Sequence, residues 1–295
     1  MKLITTIADY CTEINIPAPR HSLFDIRRFE DNMRTVNAKQ HPFRHEFYAL
    51  ALRHQGSNSE VMGNRLDSNL FFNSPYQIIT WDILPDWQGY YILFDRDFIA
   101  MNPAWNNFII DYPFFRLDKS IPFNLPDEDR VLADYFFKKI FEEYHSENED
   151  KFQFIIAYTQ LLLNLTKRYF NKEHEAQRSS EENRTNDIIL VSRFQSMIEN
   201  SLTGGVEKDN IRQAGYYADK LGVHPNYLNA VVKRITNQTA SQIIQGQLIV
   251  MAKSLLLQTP LSIKEIGYRL GFTEPTHFAA FFKKHTGKTP VEYRK

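Results

Sequence analysis

Ser262-Ile-Lys-Glu-Ile-Gly-Tyr-Arg-Leu-Gly-Phe272, and after it Thr276-His-Phe-Ala-Ala-Phe-Phe-Lys-Lys-His-Thr286, echo a segment the chain has already used once. Leu221-Gly222-Val223 returns as Leu270-Gly271-Phe272, an offset of 49. Beyond the turn the offset becomes 50: Leu228, Val232, Lys233, Arg234, Thr236 and Thr239 return as Phe278, Phe282, Lys283, Lys284, Thr286 and Thr289. The second turn is thus one residue longer. Upstream, small Ala218 matches small Gly267.

Each repeated feature has a physical role. Two helices that cross closely need a sharp break, and glycine accepts the positive φ of such a break. Ala218 and Gly267 leave room where the helix backbones approach. The second helix of each unit buries one stripe, Leu228, Val231, Val232 and Ile235 or Phe278, Phe281 and Phe282, and turns the other face outward. Pro225 and Pro275 stand at helix starts, where a missing N–H costs little. Ser262 with Glu265 has the spacing of a capping box. Between the units, Thr239 to Gln258 reads as one helix with Ile243, Ile244, Leu248, Met251, Ala252, Leu255 and Leu256 on its buried side. Such a spacer would hold two outward helices at a fixed separation, as successive major grooves ~34 Å apart require. An ordinary helical bundle explains one match; two in tandem on a basic segment favour paired DNA readers.

With Val291-Glu-Tyr-Arg294 added, the second unit closely resembles the signature of the AraC/XylS family of transcription regulators, and Leu221-Gly-Val-His-Pro-Asn-Tyr-Leu228 resembles that family's first unit. The resemblance covers about the last hundred residues. It departs from the family pattern at Leu248, Gly267 and Asn237, where Arg, Ala and Gly are usual. Carried over by position, it implies that Asn226, Asn229, Ala230 and Lys233 of the first reader and Thr276, His277, Ala280 and Lys284 of the second face DNA. Asn pairs with adenine, Ala packs on a thymine methyl, and Lys reaches guanine or phosphate. Arg234, Lys283 and Lys288 are expected on phosphates, which position without reading sequence.

Charge supports a polyanion partner for this part alone. Residues 211–295 carry twelve Lys and Arg against four Asp and Glu, while the whole chain has 35 of each sign, so +8 at one end balances −8 in the rest. A hydrophobic share of 43% excludes wholesale disorder, and 295 residues suggest two domains. Single Cys11 forms no internal disulfide, which fits a reducing cytoplasm. No run approaches eighteen apolar residues, so no membrane contact is expected. Phosphate loops, dinucleotide fingerprints, zinc-protease and serine-hydrolase motifs are all missing, and neither enzymatic activity nor a cofactor is expected.

Up to about residue 125 the texture is strand-like. Runs at 46–53, 69–73, 77–83 and 90–95 sit between turn signals such as Gln55-Gly56-Ser57, Ser74-Pro75 and Asp86-Trp87-Gln88-Gly89. The aromatic and turn landmarks from His45 to Phe94 are similar to the cupin-like barrel found at the N-terminus of many such regulators. That resemblance implies a small-molecule effector in the barrel, with His45, Trp81 and Tyr91 as candidate contacts, and a following helical pair that forms a homodimer. His41, His45 and Glu46 invite a metal reading, but alternation puts residues 45 and 46 on opposite faces, and no metal site is expected.

The expected architecture is α+β: a cupin-like sensing barrel over 1–126, a dimerising helical pair over 127–170, a linker over 171–187, and an all-helical DNA-binding domain over 188–295 whose first helix ends at Gly204-Gly205. The expected function is a sequence-specific regulator that binds double-stranded DNA, responds to an unknown small molecule, and acts by operator occupancy or contact with RNA polymerase. An effector-independent regulator, or a cupin-type enzyme fused to a DNA-binding module, are the alternatives.

Overall fold

The computed structural model describes residues 2–54, 60–61, 64–65, 69–84, 86–117, 120, 123–176, 186–203 and 210–294. Contacts divide it into two compact units, Met1–Asp95 with Tyr112–Asn183, and Arg96–Asp111 with Arg184–Lys295. The turn at 55–57, Gly204-Gly205 and linker residues 177–185 lie outside the described residues.

In chain order the elements begin with β1 (Lys2–Ile4), α1 (Ile7–Glu13), β2 (Phe24–Arg28), β3 (Lys39–His45) and β4 (Tyr48–Arg53). Then come β5 (Glu60–Val61), β6 (Asn64–Arg65), β7 (Leu70–Asn73), β8 (Ile78–Asp82) and β9 (Gly89–Phe94). Short helices α2 (Arg96–Ala100) and α3 (Phe108–Asp111) precede the long pair α4 (Asp127–His145) and α5 (Lys151–Ala176). The remainder is α6 (Asn186–Thr203), α7 (Ala214–Leu221), α8 (Pro225–Thr236), α9 (Ala240–Gln258), α10 (Ile263–Arg269), α11 (Pro275–Thr286) and α12 (Pro290–Arg294).

In the first unit, β1-β3-β8-β5-β6 form one sheet and β2-β9-β4-β7 the other. Among the described residues every strand pairing is antiparallel except β1 with β3. All six residues of β4 are buried, because both its faces are covered. Ala49 and Ala51 point to an interior shared with Phe43, Ile79, Tyr91 and Leu93. On the opposite face Tyr48 and Phe94 pack on Phe115, and Tyr90 stacks on Phe137 of α4. Asp25 is buried on β2 with the Arg27 guanidinium 2.6 Å away and the Tyr144 hydroxyl of α4 donating to it at 2.9 Å. Burial outweighs those partners and raises the Asp25 carboxyl above its usual range. Cys11 is fully buried and its thiol is pushed up to about 11 by burial, which makes it inert.

The second unit is helical around α9, on which α2, α6, α7, α8, α10, α11 and α12 all pack. Every α9 residue expected to be buried is buried, and so are Ile249 and Ser254 outside that stripe. Among the described residues α9 alone is long and apolar enough to cross a membrane, with mean hydropathy 1.2, but 56% of that window is buried in protein. Its apolar girth follows from having neighbours on several sides.

The boundary of the sheet-bearing unit differs from the expected 1–126. Residues 96–111 belong to the helical unit. Ser254 Oγ donates to Asn106 Oδ1 at 3.0 Å, Lys253 pairs with Asp97, and Gln258 donates to the Ala100 carbonyl. Phe98, Ile99, Trp105 and Phe108 are buried. Helices of four or five residues carry too little period to be read from sequence. The expected linker also shortens at both ends, since α5 continues to Ala176 and α6 starts at Asn186.

Candidate nucleic-acid interface

The repeat seen in sequence is present in the backbone. Gly222 ends α7 at φ +69°, and Val223 N donates back to the Ala218 carbonyl at 3.0 Å. Gly271 sits at φ +75°, and Phe272 N donates to the Gly267 carbonyl at 2.9 Å. A side chain at either glycine would strain that left-handed geometry. Gly267 has a separate reason: a Cβ there would lie 3.1 Å from Phe278 Cβ, so α10 and α11 approach more closely than the usual alanine allows without adjustment.

The ends of both outward helices also correspond. Thr236 Oγ1 donates to the Val232 carbonyl at 2.8 Å, as Thr286 Oγ1 does to the Phe282 carbonyl at 2.8 Å. The next residues, Asn237 and Gly287, are left-handed at φ +61° and +76°. Asn tolerates that region better than other non-glycine residues, which explains its place where glycine is usual. Capping boxes at Thr239/Gln242 and Ser262/Glu265 start α9 and α10, the second as expected from sequence.

Burial sorts the two faces. Leu228, Val231 and Val232 of α8 and Phe278 and Phe282 of α11 are buried; Ile235 and Phe281 are half-buried. Asn226, Ala230, Lys233 and Arg234 are exposed on α8, and Thr276, His277, Ala280, Lys283 and Lys284 on α11, with Lys288 exposed just beyond. Tyr227, half exposed on α8, was not singled out from sequence.

Two expected contacts have other partners. Asn229 is half-buried and its Oδ1 accepts the Ala240 N–H at 3.0 Å, bracing the start of α9. A two-point pairing with adenine needs that same oxygen. Arg234 forms an ion pair with Asp187 of α6. Arg212 stacks over the Phe272 ring at 3.9 Å and reaches the Gly271 carbonyl at 3.4 Å, tying the entry of the first unit to the turn of the second. Burial holds the Arg212 pKa below its usual value. Arg294 Nε donates to the Leu256 carbonyl at 3.2 Å and fastens α12 to α9. Sequence reading gave none of the partners of Arg212, Asp187 and Arg294, which lie tens of residues away.

The interior of the sheet-bearing unit holds a cavity of about 100 Å³. Trp81 and Tyr91 line it, but His45 does not. His45 is buried and stacked 4.3 Å from Phe47, and burial pushes its imidazole down to about 4 despite a hydrogen bond to the Phe47 backbone. Among the described residues, no group of three or more His, Cys, Asp or Glu could hold a metal ion.

Residues 217–295 match a family model described as a helix-turn-helix domain. An uncharacterised HTH-type transcriptional regulator of Escherichia coli strain K12, YijO, is 24% identical over 106 residues, covering 36% of this chain and 35% of that one. The xylose operon regulatory protein of Haemophilus influenzae is 37% identical over 82 residues, covering 28% of this chain and 21% of that one. The match therefore spans about a third or less of these relatives' own length. Among solved structures, the C-terminal domain of AraT, a response regulator from Geobacillus stearothermophilus, is 28% identical and covers 36% of this chain and 83% of that one, with a TM-score of 0.32.

Proposed function

We propose, on the premise that residues 217–295 form a helix-turn-helix domain of the AraC/XylS type, that this chain is a sequence-specific regulator of transcription that binds double-stranded DNA. The observation that carries this reading is the paired geometry of α7–α8 and α10–α11, each with its outer face free of the domain core and set in the +8 segment. Asn226, Ala230 and Lys233 read one groove; Thr276, His277, Ala280 and Lys284 read the next. Arg234, Lys283 and Lys288 hold phosphates, Arg234 by sharing or leaving Asp187. Asn229 acts mainly as the brace described above. The protein works in the cytoplasm without turnover of substrate, and its output runs through operator occupancy or contact with RNA polymerase.

In the same reading, the two-sheet unit is a cupin-like barrel whose cavity takes a small effector, with Trp81 and Tyr91 as contacts. An effector acts by favouring one arrangement of the protein over another and so shifting DNA affinity. A second copy covers the outer face of the helical pair. Val131 and Tyr135 on α4 are 66% and 49% exposed, and Phe154 and Leu161 on α5 are 45% and 48% exposed, each pair on one helical face. Tyr135→Glu with Leu161→Glu should convert a dimer to a monomer in sedimentation; a wild-type monomer at high micromolar concentration ends the dimer reading.

Selection of bound DNA from a random library by the full-length protein tests the main reading. A preferred site should emerge, and affinity for it should fall by about a thousandfold between 50 and 200 mM salt if some six phosphates are neutralised. Equal affinity for the selected site and its scrambled version removes the regulator assignment. DNA affinity that no ligand alters leaves an effector-independent regulator.

A further inference from the structure

The cavity in the sheet-bearing unit exists because β4 places Ala49 and Ala51 at two successive inward positions. Their cross-strand neighbours, Leu93 and Tyr91 on β9, are large, and the alanines do not fill the space opposite. A well-packed core closes such gaps, since an empty void costs stability.

The lining is uniform in one respect. Six of its residues are aromatic and none carries a charge. Phe29 anchors one wall, with Trp87 edge-on at 5.2 Å and Tyr91 at 4.9 Å. The Arg53 guanidinium lies 5.3 Å over the Trp87 ring and the Arg27 charge acts on Tyr91, but neither arginine belongs to the lining. The Arg27 guanidinium is committed to Asp25 and, at 2.7 Å, to the Pro17 carbonyl.

Polar handles are few. Asn32 donates to the Tyr91 hydroxyl at 3.2 Å and to the Arg28 carbonyl at 3.3 Å. That arrangement leaves the Asn32 amide oxygen as an acceptor and the Tyr91 O–H as a donor for a guest. Asn73 adds a second amide to the lining.

We infer that the cavity binds a neutral, mainly apolar compound of one ring, carrying one or two hydrogen-bonding groups directed at Asn32 and Tyr91. This inference rests on the reading of the unit as an effector sensor and names the class of effector. A carboxylate would find no cation among the lining residues, and most hydroxyls of a sugar would be buried without partners; both are costly. The volume, about two thirds of the 150 Å³ or so that holds benzene in an engineered protein, limits the guest to a single small ring for which the walls must give slightly.

Calorimetry on the full-length protein at pH 7.5 tests the class with phenol and benzyl alcohol as neutral probes, the benzoate anion as their charged counterpart, and xylose as a sugar. The neutral probes should bind at least about tenfold more tightly than the anion or the sugar. Ala51→Leu should abolish that binding while the fold and DNA affinity remain. Ala49→Val serves the same purpose if Ala51→Leu does not fold. Tighter binding of the anion or xylose overturns the class, and so does no binding of either neutral probe at millimolar concentration. Binding that survives the filled cavity places the guest elsewhere and also overturns it. Neutral binding that is lost on filling, yet never changes DNA affinity, keeps the ligand class and removes the sensing role instead.

Discussion

Ala280→Glu will lower affinity for the selected DNA site at least about a hundredfold, or roughly 2.7 kcal/mol, and Ala230→Glu will do the same. Positions 230 and 280 are the equivalent exposed small residues of the two outward helices, separated by the repeat's offset of 50. Each lies one turn from a residue expected in the groove, Asn226 or Thr276 on one side and Lys233 or Lys284 on the other. A carboxylate there meets phosphates and base acceptors without a donor to offset them, and like charges brought together at an interface cost several kcal/mol. It also draws the neighbouring lysine away from DNA, since side chains three or four apart on a helix pair readily. Neither alanine is buried, so thermal unfolding should change little, within about 0.5 kcal/mol. Electrophoretic mobility shift and calorimetric unfolding on the same preparations separate the two effects. Ala230→Lys and Ala280→Lys provide the converse, with stronger binding to all DNA and poorer discrimination. If Ala280→Glu leaves affinity intact while Ala230→Glu abolishes it, α11 does not enter a groove and the paired-reader arrangement is wrong.

What the sequence made legible, and what it hid, divides by the distance over which each feature is specified. Turn glycines, helix-start prolines, the capping box and the threonine-closed helix ends all act within a few residues, so the repeat could be read and the backbone matches it. Strands β4, β7, β8 and β9 were legible because turn signals bound them. Strand β3 was not: Pro42 lies within it and its pairing with β8 slips between Gln40 and Phe43, so the two-residue alternation breaks. The faces of α8 were assigned well, but Asn229 and Arg234 turned out to be engaged with Ala240 and Asp187. No local pattern announces such partners. The cavity was hidden for a different reason. Ala49 and Ala51 look like ordinary strand fillers, and a void is set by the summed volume of residues on several strands. His45 shows the opposite error, a residue type associated with ligands that is spent on packing.

The second large effect concerns a carboxyl inside the helical unit. Glu199 of α6 is 2% exposed; its Oε2 accepts the Ile109 N–H of α3 at 3.0 Å and its Oε1 accepts from Gln247 of α9 at 3.3 Å. Loss of water around it raises its pKa to about 8, more than the backbone N–H groups of Ile109 and Ile110 and the charge of Arg96 lower it. Below about pH 4.5 the group is protonated in the folded and the unfolded chain, and it carries no ionisation penalty. Between about 4.5 and 8 the folded chain keeps a proton that the unfolded chain releases, so stability falls with every step up in pH. Above 8 both forms are ionised and the whole penalty is present. The displacement of about 3.5 pH units corresponds to at most about 5 kcal/mol. Chemical denaturation of the helical unit should therefore show a midpoint that declines from pH 5 to pH 8. Glu199→Gln should flatten that decline and exceed the wild type in stability at pH 8. The glutamine oxygen still accepts from Ile109, and Gln247 can present its own carbonyl to the new amide. Glu199→Leu should destabilise at every pH, because it strips acceptors from buried N–H groups. If Glu199→Gln keeps the wild-type slope, another group titrates in that range and the buried carboxyl is not what couples α3 to α6.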